Sequence, residues 1–319
     1  MWQLATALPL MTGYDIVQLI NPMFLELKAE RLFPIYKFLR RHNRKVVLGA
    51  FGMDHYWVNE CCSSKPLRYS DFNIGATLRT NADAQKEKAD WLGTAKEKLN
   101  KLIANDADAI VSGLYEYDVC YRPNFPQKTH FIAYPIQPSG KATTKQVEKG
   151  NIRFFIGINR SRSEYKGTDI MLRALTDVAQ RYPSKCKVIK AENVPYAQYE
   201  ELMLSSDCIL DQLYSYTPAM NALQAMAKGI ICIGGGEEEN YAILNEKELR
   251  PIINVEPTYE SVVSQLEWII NNQNLIPDLK QQSIEYIARH HDYKKVAKKY
   301  ETLYNELLLS HPQKRVVMR

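Results

Sequence analysis

One stretch of this sequence places three cations where they could bind an anion. The apolar run Phe154-Phe155-Ile156 stops at Gly157, and a loop holding Arg160, Arg162 and Lys166 leads into a helical pattern that opens at Gly167. Free backbone N–H groups and the positive end of a helix dipole favour phosphate at such a turn. Arginine adds forked donors and lysine a point charge. The stretch predicts a site for a phosphorylated ligand at the start of a second domain, with a solvated basic turn as the alternative.

A second stretch has three consecutive glycines, Gly234-Gly235-Gly236, directly after the apolar run 230–233. Glycine lets backbone N–H groups approach a ligand closely. A flexible turn before the acidic start of a helix explains the triplet taken alone, and for the triplet alone that interpretation is favoured. Its meaning therefore depends on what surrounds it.

Several acidic or imidazole side chains follow predicted strands and could transfer protons or hydrogen-bond a second substrate. They are Asp54, His55, Glu116, Glu238 and Glu239. For His55 a surface or packing role is the favoured alternative. The Asp106-Ala107-Asp108 pair precedes a strand, which indicates a helix C-terminal turn. We predict no essential metal and no cofactor.

Strands alternate with helices along the whole chain, which predicts βα units and parallel sheets. Predicted strands cover residues 14–20, 45–51, 108–112, 130–134, 152–156, 185–190, 208–213, 230–233 and 251–255. Predicted helices include 29–42, a single long helix 83–104, 168–181, 196–205, 219–228, 238–244, 260–272, 278–291 and 293–309; residues 61–73 are loop-like and 135–150 form a linker. The fold class is α/β, with two Rossmann-like domains and C-terminal helices. Residues 1–145 form the first domain, 146–292 the second, and 293–319 a helix and tail; ligands in such folds sit at the carboxyl ends of strands.

Composition narrows the class of protein. The net charge of +5 is mild, and no RNP motif, zinc-finger spacing or long basic run points to nucleic acid. Six cysteines without C-x-x-C spacing indicate buried free thiols in a reducing compartment, so we predict a cytoplasmic protein. The basic, partly apolar helix 29–42 fits either peripheral contact with anionic lipid at the inner membrane face or, as favoured, one core face and one solvated face.

The order of these features is more specific than any one of them. A basic turn after a strand, the helix Gln224-Ala225-Met226-Ala227-Lys228-Gly229, an apolar strand and a glycine-acidic loop resemble the donor-binding domain of GT-B glycosyltransferases of group 1, family 4. The resemblance covers roughly residues 152–244 closely and the first half only by architecture. It implies a nucleotide-diphosphate sugar on the second domain and an acceptor on the first.

The resemblance assigns roles residue by residue. Arg160 or Arg162, with Lys166, would meet the diphosphate beside Gly157. Gln224 and Tyr216 stand where the family has its two glutamates, so donor recognition would be rebuilt with Tyr216, Thr217 and Asn221. The loop Gly235-Gly236-Glu237-Glu238-Glu239 would supply a replacement carboxylate.

The resemblance also sets the expected function. Family members begin with a strand and glycine-rich loop that nothing before Gly13 supplies, so we expect the first domain to lack about 50 or more residues. We expect a retaining, metal-independent transfer of a sugar to a glycan or lipid-linked acceptor in bacterial surface polysaccharide synthesis. The alternatives are a non-catalytic nucleotide-sugar-binding relative and a GT-B nucleotide-sugar epimerase.

Overall fold

The structure, a computed structural model, describes residues 6–139 and 150–310. The first half contains one parallel sheet whose strands lie in the order β1-β2-β5-β6. These strands are β1 (Ile16–Leu19), β2 (Lys45–Ala50), β5 (Ala109–Ser112) and β6 (Thr129–Phe131). Every residue of β2 and β5 is buried, as expected for parallel strands with helices on both faces. The short strands β3 (Asn73–Ile74) and β4 (Thr77–Leu78) form a separate antiparallel hairpin.

The second half contains a parallel sheet of five strands in the order β11-β10-β9-β7-β8. They are β7 (Ile152–Ile158), β8 (Cys186–Glu192), β9 (Cys208–Leu210), β10 (Ile231–Gly234) and β11 (Ile253–Asn254). The central strand β7 pairs with both β8 and β9. Two parallel sheets confirm the predicted α/β class. The predicted domain boundary at 145/146 lies outside the described residues.

Helices cover the faces of both sheets. Those of the first half are α1 (Ala29–His42), α2 (His55–Cys62), α3 (Ala82–Trp91), α4 (Ala95–Asp106) and α5 (Tyr115–Tyr121). Those of the second half are α6 (Ser163–Lys166), α7 (Thr168–Arg181), α8 (Tyr196–Leu204), α9 (Met220–Ala227), α10 (Glu238–Ile243), α11 (Tyr259–Asn271) and α12 (Ile276–Tyr286). A π-helical turn, Ile287–His291, leads into the last described helix, α13 (Tyr293–Ser310).

Two predictions about the first half are wrong. The long helix predicted over residues 83–104 is two helices, because Gly93 adopts a φ of +74° that a helix does not allow. The first two residues of the region predicted to be loop-like, Cys61 and Cys62, instead lie in the last turn of α2. The sequence predicts no helix here; one forms because the Asp54 side chain accepts a hydrogen bond from the Trp57 backbone N–H and caps the first turn.

The chain passes between the two halves twice at neighbouring positions. Ile136, just after the first sheet, pairs with Asp292, and its backbone exchanges hydrogen bonds with His291 and Tyr293. Helix α13 then packs on the first sheet, where Val296 and Leu303 contact a cluster that includes Val47, Val111 and Ile132. The end of the described chain therefore covers the first half rather than the second.

Candidate functional site

A cavity of about 560 Å³ lies at the carboxyl ends of β7, β8 and β9 in the second sheet. We call it the edge cavity; its lining includes Gly157, Lys166, Tyr199, Asp211 and Asn221. Ligands of open α/β sheets bind at this edge, and ligand pockets span about 300–1,000 Å³. Both the position and the size suit a nucleotide-sized molecule.

One wall of the edge cavity is formed by Tyr199. A Cβ atom on Gly157 would lie 2.8 Å from atoms of the Tyr199 ring and hydroxyl, so only glycine lets this side chain close over the end of β7. The Tyr199 hydroxyl accepts a hydrogen bond from Asn221 Nδ2 at 2.8 Å, and its ring meets Phe155 edge-on at 5.0 Å between centroids. The wall therefore carries both an aromatic face and an amide.

The cavity also contains one cation and one buried carboxylate. Lys166 ends α6, and its carbonyl accepts a hydrogen bond from Leu213 N at 3.0 Å. Asp211 follows β9 and is only 9% exposed. Burial raises the pKa of Asp211 to about 6, and the nearby Lys166 charge opposes that rise. Thr168, the first residue of the 14-residue helix α7, completes this side of the cavity with the positive end of the helix dipole.

A second cluster lies between the two halves, at the turn before α9. The buried carboxylate of Glu116, from α5, accepts hydrogen bonds from Tyr216 N at 2.8 Å, Thr217 N at 2.9 Å, Thr217 Oγ1 at 2.7 Å and Ser215 Oγ at 3.0 Å. Burial raises the pKa of Glu116, and these donors oppose the shift. Glu116 therefore joins the two halves.

Comparison with known proteins gives matches in structure only. No protein-family model matches the chain, and no curated protein matches it. Sucrose-phosphate synthase from Thermosynechococcus elongatus superposes with a TM-score of 0.61 at 12% identity, over 94% of this chain and 75% of that one. HepE from Anabaena, solved with UDP and glucose, gives 0.61 at 12% identity over 94% and 81% of the two chains. This chain has the GT-B fold.

A third match has the same architecture on a longer chain. A variant of TarM from S. aureus, solved in complex with fondaparinux, alpha-GlcNAc-glycerol and UDP, gives a TM-score of 0.56 at 9% identity. The match covers 83% of this chain and 51% of TarM, so this chain spans about half the length of that relative. At these identities the matches establish the GT-B fold alone.

The predicted donor-site residues divide between the edge cavity and its surroundings. Gly157, Lys166 and Asn221 line the cavity, together with Asn159 and Thr168. The predicted cations Arg160 and Arg162 do not: the Arg160 guanidinium pairs with Glu192 with its side chain 80% exposed, and Arg162 stacks over the Tyr165 ring at 5.2 Å. Gln224 is exposed on α9, outside the lining.

The resemblance assigns Tyr216 and Thr217 to donor recognition, but in the structure both face the joint between the halves rather than the edge cavity. Tyr216 is 1% exposed; its hydroxyl accepts a hydrogen bond from Arg68 N at 2.7 Å, and its ring packs against Tyr69 and Tyr115. The Thr217 hydroxyl is committed to Glu116. Donor recognition by these two side chains stays a prediction; in this structure the hydroxyl groups of both have partners within the protein.

The glycine loop serves close packing. A Cβ atom on Gly235 would lie 2.3 Å from Ser215 O, and one on Gly236 would lie 2.6 Å from Ile252. Gly236 N donates to Asn254 Oδ1 at 2.9 Å. The loop therefore lies directly against the turn before α9 and the end of β11, and its glycines are explained without a ligand.

The carboxylates after this loop also have partners within the protein. Glu237 accepts a hydrogen bond from the Tyr69 hydroxyl at 2.5 Å and pairs with Arg68, which also meets Glu239 at 2.6 Å. Glu238 is exposed and pairs with Arg250 at 3.3 Å. A catalytic role for Glu238 or Glu239 remains a prediction; in this structure neither lines the edge cavity.

Asp54 and His55 lie inside the first half, not at a cleft. Asp54 is fully buried and accepts hydrogen bonds from Trp57 N at 2.9 Å and the Tyr121 hydroxyl at 2.7 Å; burial raises its pKa to about 6. His55 is 2% exposed, with its Nδ1 3.7 Å from Glu97 Oε2, and burial lowers its pKa. The Asp54 carboxylate caps a helix and the His55 imidazole packs in the core, which is the role favoured for His55 from the sequence; a catalytic role for either residue stays a prediction.

Sequence reasoning missed Asp211 as a site residue because it sits within the apolar run 208–213. An acidic residue next to the predicted end of a buried strand was the available signal.

Within residues 6–139 and 150–310 no group of three or more His, Cys, Asp or Glu side chains could hold a metal ion. Asp106 ends α4 and accepts a hydrogen bond from the Tyr36 hydroxyl at 2.6 Å, which confirms the helix C-terminal reading of the Asp106–Asp108 pair.

The basic helix α1 is partly neutralised. Arg40 of α1 pairs with Asp108 at 2.7 Å; just after the helix, Lys45 meets the same carboxylate at 3.2 Å and Arg44 meets Asp15 at 2.6 Å. Its remaining cations, Arg31, Lys37 and Arg41, are exposed. Among the helices that the structure describes, none combines the length and apolar character needed to cross a membrane.

Proposed function

We propose that this chain is a glycosyltransferase that transfers a sugar from a nucleotide-diphosphate sugar to a glycan or lipid-linked acceptor. The single observation that carries the proposal is the edge cavity, which joins Lys166, the N-terminus of α7 and the Tyr199 wall in one space. HepE and TarM, solved with UDP, share the GT-B fold and support a nucleotide ligand.

The cavity assigns a task to each part of such a ligand. Lys166 and the N–H groups at the start of α7 would bind the diphosphate, because an ammonium and a helix N-terminus both attract phosphate. Tyr199 offers an aromatic face, and Asn159 and Asn221 offer amide groups for the nucleoside. During transfer, the same cation would stabilise the charge that develops on the departing nucleoside diphosphate.

Isothermal titration calorimetry with UDP, GDP, ADP and dTDP tests the binding step. We expect one of the four to bind, and Lys166→Met to weaken that binding about tenfold or more, since a charge-assisted contact contributes about 1.5–3 kcal/mol. Lys187→Met is the matched control, because Lys187 is an exposed lysine of β8 that does not line the cavity. Equal affinities for the two variants would contradict the proposed site.

A second candidate is a non-catalytic nucleotide-sugar-binding relative. It is favoured because the carboxylates between the two halves already have partners within the chain, where they accept hydrogen bonds or pair with cations. These carboxylates are Glu116, Glu237 and Glu239. Incubation with nucleotide sugars and an acceptor separates the candidates. Nucleotide release supports the transferase, binding without release supports the binding protein, and a changed sugar on an intact nucleotide would support an epimerase.

We further propose a retaining reaction without a metal or other cofactor, in bacterial surface polysaccharide synthesis. The proposed location is cytoplasmic, with peripheral contact at the inner membrane face. Arg31, Lys37 and Arg41 of α1 are the exposed cations that would meet anionic lipid. Co-sedimentation with phosphatidylglycerol vesicles tests the contact: we expect binding that a triple glutamine variant of these residues loses.

A further inference from the structure

The short helix that carries Lys166 depends on the first half of the chain for its backbone hydrogen bonds. α6 has only four residues, so the carbonyl groups at its C-terminus need partners outside the helix. Arg79, which follows β4, supplies two of them: its Nη2 donates to Glu164 O at 2.6 Å and its Nη1 to Tyr165 O at 3.0 Å. The guanidinium thus binds the two carbonyls immediately before Lys166.

Arg79 is itself held in place from both halves. Its guanidinium carbon lies 3.5 Å from the centroid of the Tyr214 ring, and its Nη1 also meets Asp71 O at 3.2 Å. The Tyr165 hydroxyl donates to Asp71 Oδ2 at 2.7 Å and gives a second link between α6 and the hairpin segment. The result is a fixed arginine that meets α6 through a planar fork of donors.

The next two residues after this contact are also constrained. Lys166 O accepts a hydrogen bond from Leu213 N at 3.0 Å. Gly167 has a φ of +72°, and a Cβ atom there would lie 2.5 Å from Leu213 Cβ. The backbone from Glu164 to Gly167 is therefore clamped, on one side by the first half and on the other by the turn after β9.

We infer that Arg79 is a positioning residue for the edge cavity: by fixing the carbonyls of Glu164 and Tyr165 it holds the Lys166 ammonium where a diphosphate binds. The inference rests on the proposed function and adds to it that the first half completes the nucleotide site without lining it. If the backbone before Lys166 has to be ordered when the diphosphate binds, ordering one residue lowers the binding constant by about tenfold. Removal of the clamp is expected to cost about that factor in diphosphate affinity.

The test compares a nucleoside diphosphate with its nucleoside. UDP, GDP, ADP and dTDP are titrated into the full-length wild-type chain by calorimetry, and the tightest is carried forward with its parent nucleoside. We expect Arg79→Met to raise the Kd for the diphosphate about tenfold and to leave the nucleoside Kd unchanged, because only the diphosphate contacts Lys166. Arg79→Lys, which keeps one donor at the carbonyls, should restore part of the loss.

Arg68→Met is the matched control. Arg68 lies in the same segment and also bridges the two halves, through Glu237 and Glu239, but among the described residues its ion pairs do not involve α6. For the Arg68→Met variant, the Kd for the nucleoside divided by the Kd for the diphosphate should equal the wild-type ratio. Tyr165→Phe, which removes only the link to Asp71, should lower the ratio by a smaller factor and decides the question if Arg79→Met does not fold.

The outcomes separate this inference from the proposed function. If the wild type binds none of the four diphosphates, the proposed function fails and the inference falls with it. If the wild type binds and Arg79→Met keeps the wild-type ratio, or Arg68→Met loses as much as Arg79→Met, the positioning role is overturned while the proposed function stands.

Discussion

Substitution of Glu116 distinguishes a structural role for its carboxylate from a catalytic one. Its side chain is buried between the halves and accepts four hydrogen bonds. Glu116→Ala would leave the buried N–H groups of Tyr216 and Thr217 without their partner, at about 1–3 kcal/mol each. The raised pKa means that the buried carboxylate carries a desolvation penalty, which the substitution relieves. We therefore expect a loss of about 2–4 kcal/mol in the free energy of unfolding.

Urea unfolding followed by tryptophan fluorescence measures this loss. Glu238→Ala is the matched control: its side chain is 79% exposed and pairs only with Arg250 at 3.3 Å. An exposed ion pair of this kind contributes at most about 1 kcal/mol, so the control should unfold close to the wild type. If Glu116→Ala were as stable as the wild type but had lost turnover, the structural assignment would be refuted and the catalytic prediction supported.

Three further predictions concern packing, pH and metal. Gly235→Ala should lower the free energy of unfolding by about 1–3 kcal/mol because its Cβ would meet Ser215 O, whereas Gly52→Ala, with no neighbour closer than 3.8 Å, should not. Asp54 has a pKa of about 6 in the fold and an ordinary value of 3.8, so its neutral form favours folding. The unfolding free energy of the wild type relative to Asp54→Asn should fall by about 2 kcal/mol between pH 4 and pH 7, measured by urea titration at each pH; a constant difference would contradict the burial effect. Turnover should be unchanged in EDTA, and a loss restored by Mg²⁺ would contradict the predicted metal independence.

Local sequence signals predicted much of the fold. α1 and α7 have the predicted bounds, because an amphipathic pattern and its end signals lie within one short stretch. The buried strands β2 and β7 were visible as apolar runs. The place of Lys166 at the carboxyl edge of the second sheet, where it lines the edge cavity, could be predicted for the same reason: a strand, a turn and a helix in direct succession fix where the turn lies.

The rest of the site depends on partners that are distant in sequence. Tyr216 is bonded to Arg68 from 148 residues away, and its backbone N–H to Glu116 from 100 residues away. These contacts turn Tyr216 and Thr217 away from the edge cavity. No periodicity or motif reports such a contact. Asp211 was missed for a local reason: the predicted strand 208–213 included it, whereas the strand in the structure ends one residue earlier, at Leu210.

A crystal structure of the chain with the diphosphate that binds it most tightly is the most direct test of the edge cavity as a nucleotide site. We predict density for the two phosphates within hydrogen-bond distance of Lys166 Nζ and the first N–H groups of α7, with the nucleoside against Tyr199. Density at the joint between the halves instead, around Glu116 and the glycine loop, with an empty edge cavity, would contradict it.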